Sequence, residues 1–181
     1  LAVSVRAEPR TTLDIDIAVA VASEKDAEPL IRELRGRGYR DNPAGALMEQ
    51  TADRRLAGFR LLAPSSEGER QQQAAVPVDL LFASSGVEAE IVAAAEHLEI
   101  IPGLILPTAQ TGHLIALKIL AGRPRDLEDC RVLLSRATPQ DRLLTSKTLV
   151  LISQRGFDRG KDLLGQLAWL ESQVHGCGET E

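Results

Sequence analysis

The sequence predicts an α/β (α+β) fold: a mixed sheet flanked by helices over residues 1–106, followed by a C-terminal helical bundle over residues 107–174. Three observations carry that expectation. Residues 13–21 and 76–83 read as buried strands, the first with apolar side chains at every second position. After Pro107 no strand signal returns, and apolar residues recur at helical spacing in four successive segments. The chain has 181 residues, 44% hydrophobic and 26% charged, enough for a substantial core. Aromatics make up only 3%, so that core must be built from Leu, Ile, Val and Ala.

Leu1 to Ala7 reads as a short helix stopped before Pro9, because the residue ahead of a proline is pushed out of the α region. Leu13 to Val21 is the first strand. Ser23 then offers a helix cap with Glu24 and Asp26 in the first turn, Leu30, Ile31 and Leu34 form an apolar stripe, and Gly36 and Gly38 end the helix. Ala46 to Gln50 and Leu56 to Ala63 are expected as antiparallel strands joined across Thr51 to Arg55. Pro64 to Gln73 is polar and reads as an exposed loop. Val76 to Ala83 is the next buried strand, Glu88 to His97 a helix, and Leu98 to Leu106 two extended pieces around Pro102-Gly103. Helices are expected over Thr111 to Ala121, Arg125 to Ser135, Gln140 to Ser153 and Lys161 to Gln173, with a disordered tail over 175–181.

A net charge of -5 argues against coating nucleic acid by phosphate neutralisation alone, and the few aromatics leave little material for stacking bases. Cys130 and Cys177 match no zinc spacing and no disulfide framework, which suits a reducing cytoplasm. No apolar run approaches membrane length, and Leu1 to Val5 is too short, too soon followed by Arg6, Glu8 and Arg10, for a signal peptide. The first residue is not Met, so native residues are expected upstream.

Asp14 and Asp16 lie two apart on the first strand and so share a face, with about 6 to 7 Å between their positions. Two carboxylates that close can converge on one divalent cation; alternatively, one caps a turn after Pro9 and the other is solvated. Asp79 interrupts the second buried strand, where an acid must be paired, hydrogen-bonded or metal-bound. A sheet that sets 13–21 beside 76–83 resolves all three acids at once. Carboxylates on adjacent strands suit two-metal phosphoryl chemistry.

The stretch from Leu1 to Ile17, followed by Val78-Asp79-Leu80-Leu81-Phe82, resembles the nucleotidyltransferase superfamily, with the closest likeness to the AbiEii-type toxin nucleotidyltransferases. Leu117-Lys118-Ile119-Leu120-Ala121 and Arg125-Asp126-Leu127-Glu128-Asp129 are similar to that family's lysine and D-x-x-D motifs, and the likeness covers the chain to about residue 135. It implies a nucleotidyltransferase-type mixed sheet. It further implies that Asp14, Asp16 and Asp79 bind catalytic Mg²⁺ or Mn²⁺, Asp79 completing the site or acting as base. Lys118 would reach the triphosphate, and Asp126 and Asp129 would face the cleft one helical turn apart. Arg10 is a surface or phosphate-facing residue. The family's Gly-Gly or Gly-Ser pair belongs upstream of the segment that begins at Leu1.

Each of these residues also has a purely structural role open to it. Lys118 can snorkel to solvent, and Asp126 and Asp129, after Pro124, can serve the helix dipole. His113 fits a helix start or the core better than catalysis, and Arg32, Arg35, Arg37 and Arg40 form a solvated helix face or a contact for RNA phosphates. The expected function is a cytoplasmic, metal-dependent transfer of a nucleoside monophosphate from a nucleoside triphosphate to a hydroxyl; the resemblance implies RNA, including the 3′ end of tRNA, as acceptor and a cognate antitoxin as partner, and a protein or small-molecule acceptor stays open. The alternative is a non-catalytic protein that keeps the fold for binding or regulation.

Overall fold

The computed structural model describes residues 2–7, 14–21, 24–42, 49–50, 56–64, 75–82 and 85–175. Arg10, Leu13, the Ser23 cap, residues 46–48, the 51–55 connection, nearly all of the polar 64–73 stretch, Cys177 and the 176–181 tail lie outside the described residues. The fold is mixed α/β, and its contacts group the chain into two compact units. One comprises Thr11–Ser84; the other joins Leu1–Arg10 to Ser85–Glu181. The division after residue 106 expected from the sequence follows element type, whereas this grouping follows contact.

In the first unit, strands β1 (Ile15–Ala18), β2 (Arg40–Asp41), β3 (Glu49–Gln50), β4 (Leu56–Leu62) and β5 (Pro77–Leu81) form one sheet in the order β1-β5-β4-β2, with β3 also on β4. β1 runs parallel to β5 and the other pairs are antiparallel, so the sheet is mixed. Alternation sorts its faces. Phe59 and Leu61 of β4 and Val78 and Leu80 of β5 turn towards Ala27 and Ile31 of helix α2 (Glu24–Gly36), with Ile15, Val19 and Leu34 packed against them. The intervening residues Arg60 and Asp79 therefore belong to the opposite face.

Strand β1 is shorter than the expected 13–21. It begins after Asp14 and ends at Ala18, as its neighbour β5 ends at Leu81, and Val19 N–H donates a last bond to the Leu81 carbonyl at 2.8 Å. Among the described residues it is an edge strand, paired on one side only. Asp14, Asp16 and Ile17 are exposed, so the reading of β1 as a buried strand is corrected.

In the second unit, helix α1 (Ala2–Arg6) buries Val3 and packs on α4 (Thr111–Ala121) and α5 (Pro124–Arg136). The Arg6 guanidinium donates to the Ala109 carbonyl at 2.6 Å and to Glu96 at 2.7 Å. Helix α3 spans Glu88–Ala93, not Glu88 to His97, because Glu96–Ile101 (β6) pairs with Leu104–Thr108 (β7) as a hairpin around Pro102-Gly103. His97 is thus a strand residue.

Seven of the eleven residues of α4 are buried, which makes it the central helix of this unit. It ends at Gly122, whose φ of +67° is a left-handed cap that other residues resist. Pro124 and Pro139 open α5 and α6 (Pro139–Gln154), where the missing N–H costs nothing. Thr138 and Asp141 cap α6 reciprocally: Thr138 Oγ1 accepts from Asp141 N–H at 3.1 Å and Asp141 accepts from Thr138 N–H at 2.9 Å. Helix α7 (Leu163–His175) starts two residues later than expected, with Asp162 accepting from Gly165 N–H at 2.9 Å. Among the described residues no helix is long and apolar enough to cross a membrane.

Candidate active site

The register of the first unit's sheet places Asp16 of β1 opposite Asp79 of β5, and Asp79 opposite Arg60 of β4. Register partners share a face, so Asp16, Asp79 and Arg60 form a transverse row across three neighbouring strands, on the face away from α2. Asp14 lies one residue ahead of β1. The expectation that the two acid-bearing strands are neighbours is met, and their pairing is parallel.

Asp79 is the best sheltered of the three acids, its side chain 16% exposed against 30% for Arg60. Both of its oxygens accept from the Arg60 guanidinium, Oδ1 from Nε and Oδ2 from Nη2. A two-point fork is the strongest neutral closure available to a half-buried carboxylate. The hydrogen bonds to Asp79 raise the Arg60 pKa above its ordinary value; burial opposes them, and the charges of Asp79, Asp14 and Asp16 add to the rise. The guanidinium therefore sits in the field of all three acids. Sequence reasoning missed Arg60. Its signal was a lone cation in the apolar run Phe59-Arg60-Leu61-Leu62, as much out of place as Asp79 in its own strand.

Hard carboxylate oxygens on adjacent strands fit Mg²⁺ or Mn²⁺, since Mg²⁺ characteristically takes one or two carboxylates and completes its shell with water and substrate phosphates. Among the described residues no group of three or more His, Cys, Asp or Glu side chains stands in a metal-holding arrangement. The donors on hand are thus few, and one of them is forked to Arg60.

The second unit gathers the other expected residues. Lys118 of α4 donates to Asp126 of α5 at 2.7 Å and lies 3.1 Å from Asp129 Oδ2. Asp126 and Asp129 are buried and, as expected, share one helix face, but that face meets the lysine. Burial works against the Lys118 charge, yet the hydrogen bonds and charges of Asp126 and Asp129 outweigh it and raise its pKa. Snorkelling to solvent is therefore corrected: the ammonium is held inside because two carboxylates solvate it better than the helix surface can. Asp126 also accepts from the Arg123 N–H at 3.3 Å, so it caps α5 as well.

Cys130, one helical turn after Asp126, is fully buried and its thiol is pushed up to about 12, chiefly by burial. His113 is a core residue, 4% exposed, and burial lowers its pKa. In the first unit Arg35 pairs with Asp41 at 2.8 Å and Arg37 with Glu33 at 2.6 Å. All four of Arg32, Arg35, Arg37 and Arg40 are exposed, but only Arg32 and Arg35 lie on α2; Arg37 follows its end and Arg40 opens β2, so the expected helix face is corrected to an exposed set spread over helix, turn and strand.

The family model described as "Nucleotidyl transferase AbiEii toxin, Type IV TA system" matches residues 1–173. No curated protein matches the chain.

Proposed function

We propose that this chain, which belongs to the AbiEii nucleotidyl transferase toxin family of type IV toxin–antitoxin systems, moves a nucleoside monophosphate from a nucleoside triphosphate to a hydroxyl with the help of Mg²⁺ or Mn²⁺. The observation that carries the reading is the row that sets Asp16 beside Asp79, with Asp14 one residue ahead of the strand. The acceptor oxygen bonds to the α-phosphorus, the bond to the outgoing pyrophosphate breaks, and the hydroxyl proton passes to a carboxylate or to water. A bound divalent cation would supply Lewis-acid stabilisation of the charge that develops on the phosphate. Asp14 and Asp16, both exposed, can turn towards it. Asp79, its oxygens already engaged by Arg60, suits holding better than proton acceptance.

Lys118, Asp126, Asp129 and Arg10 are the proposed nucleotide-binding residues on the strength of the family motifs, and Lys118 would exchange carboxylate for phosphate to serve. RNA, including the 3′ end of tRNA, is the proposed acceptor. A cognate antitoxin is the proposed partner, and the cytoplasm, where nucleotides and RNA are abundant, is the proposed location.

Titration of ATP, GTP, CTP and UTP with Mg²⁺ or Mn²⁺ tests the reading, together with transfer of α-labelled nucleotide to RNA. One nucleotide should bind at micromolar concentration only with metal, and an Asp14→Ala/Asp16→Ala variant should lose both binding and transfer. A folded wild-type protein that binds no nucleotide under any of these conditions sinks the enzyme.

One observation favours the non-catalytic alternative. Three unused carboxylates in buried strands would cost stability, but Asp14 and Asp16 are exposed and Asp79 is compensated by Arg60, so a protein that keeps the fold for binding alone retains them cheaply. Binding of nucleotide without transfer to any acceptor is the outcome that selects it.

A further inference from the structure

We infer that Arg60 is the resident counter-cation of the acid row, holding both oxygens of Asp79 until a divalent cation takes one of them, and that the guanidinium arm so released binds a phosphate of the nucleotide. The inference rests on the metal-dependent reading above and adds to it a residue that serves metal and nucleotide in turn.

Geometry makes the exchange possible. Arg60, Asp79 and Asp16 occupy one transverse row, so a cation between the two acids approaches Asp79 from the side opposite Arg60. Asp79 presents both oxygens to the fork, which leaves it no oxygen free of Arg60. The cation must therefore compete. A guanidinium has five N–H donors, and the fork uses two, one from Nε and one from Nη2. The others remain for an anion. At 30% exposure the side chain is open enough to meet one, and its planar fork matches phosphate as well as carboxylate. Nothing from the α2 side covers this face, because the core cluster takes Phe59, Leu61, Val78 and Leu80 on the other.

Competition has a sign that simple alignment lacks. If Arg60 only oriented Asp79, its removal would weaken metal binding. If it is the ion's competitor, its removal strengthens metal binding in the absence of nucleotide, because a positive charge next to the ligand is gone. The same removal weakens the metal–nucleotide complex, which loses a phosphate partner.

The test is Mn²⁺ titration of the whole chain without nucleotide, read by calorimetry or by the electron paramagnetic resonance of free Mn²⁺, for wild type, Arg60→Gln and Arg60→Lys. Circular dichroism in EDTA checks the fold of each. Arg60→Gln should bind Mn²⁺ about 10-fold more tightly than wild type, and bind nucleotide with Mn²⁺ about 10-fold more weakly. Arg60→Lys, a single-point charge that cannot hold both oxygens, should fall between on both counts. If Arg60→Gln does not fold, Arg60→Lys decides: Mn²⁺ binding tighter than wild type supports the exchange, and unchanged or weaker binding overturns it. Wild-type binding of Mn²⁺ with equal or weaker binding by a folded Arg60→Gln sinks the role of Arg60 alone. Failure of every form to bind Mn²⁺ removes the metal-dependent reading itself, and the exchange with it.

Discussion

Two charge clusters hold the acids and the lysine that the sequence singled out, and each contained a surprise at the level of single side chains. Asp79 advertised its need for a partner by lying in an apolar strand, yet the partner could not be read, because strand register is set by pairing and not by local pattern. Lys118, Asp126 and Asp129 were legible as a set from their spacing, but their mutual contact needed α4 and α5 to be packed together. That contact yields a prediction. With Lys118 23% exposed and the two acids under 10%, Lys118→Met removes the one ammonium that both buried carboxylates share and should cost about 3 kcal/mol in denaturant unfolding near neutral pH. Since the folded pKa of Lys118 is raised, the charge of this lysine contributes fully below the unfolded pKa of about 10.4 and is lost as pH rises through the folded value. The gap between wild type and variant should therefore hold steady at neutral pH and narrow only above pH ~10.4. A variant as stable as wild type at pH 7 would show that the three charges contribute nothing.

Among the elements, the helices beyond residue 107 were the most legible, because apolar residues recur there at helical spacing, and in the structure Gly122, Pro124, Thr138 and Pro139 mark where three of them end or begin. Strand β2 went unseen: two residues carry no periodicity, and only pairing with Leu61 and Leu62 makes them a strand. Likewise α3 was read too long, since Glu96 onward fits a helix locally until β7 supplies its partner. Helix α4 packs closely on α6. A Cβ at Gly112 would lie 2.6 Å from the Asp141 carbonyl and 2.7 Å from Leu144 Cβ, so the glycine sets how closely these helices approach. Thr145 strengthens the same crossing by donating to the Gly112 carbonyl at 3.1 Å. Gly112→Ala should destabilise by about 1–3 kcal/mol through overpacking. Thermal unfolding checks it, and an unchanged midpoint would mean that the helices can separate at no cost.

For the whole molecule, the acid row and the lysine triad reside in different compact units, Thr11–Ser84 for the first and Ser85–Glu181 with the N-terminal segment for the second. Each cluster should therefore leave its own signature in native-state hydrogen exchange. Arg60→Gln should lose protection in β4 and β5, and Lys118→Met in α4 and α5, by up to the full destabilisation each causes. Loss of protection spread evenly over both units in either variant would show a single cooperative body. By itself the sequence determined the family, the mixed α/β class, most helices and the identity of the acids, because those follow from residue type, spacing and period along one chain. Tertiary structure alone decided that Asp16 stands beside Asp79, that Arg60 closes on Asp79, and that Lys118 is spent on Asp126 and Asp129. Those pairings join residues from separate elements, and which groups meet depends on register and packing, which no local pattern encodes.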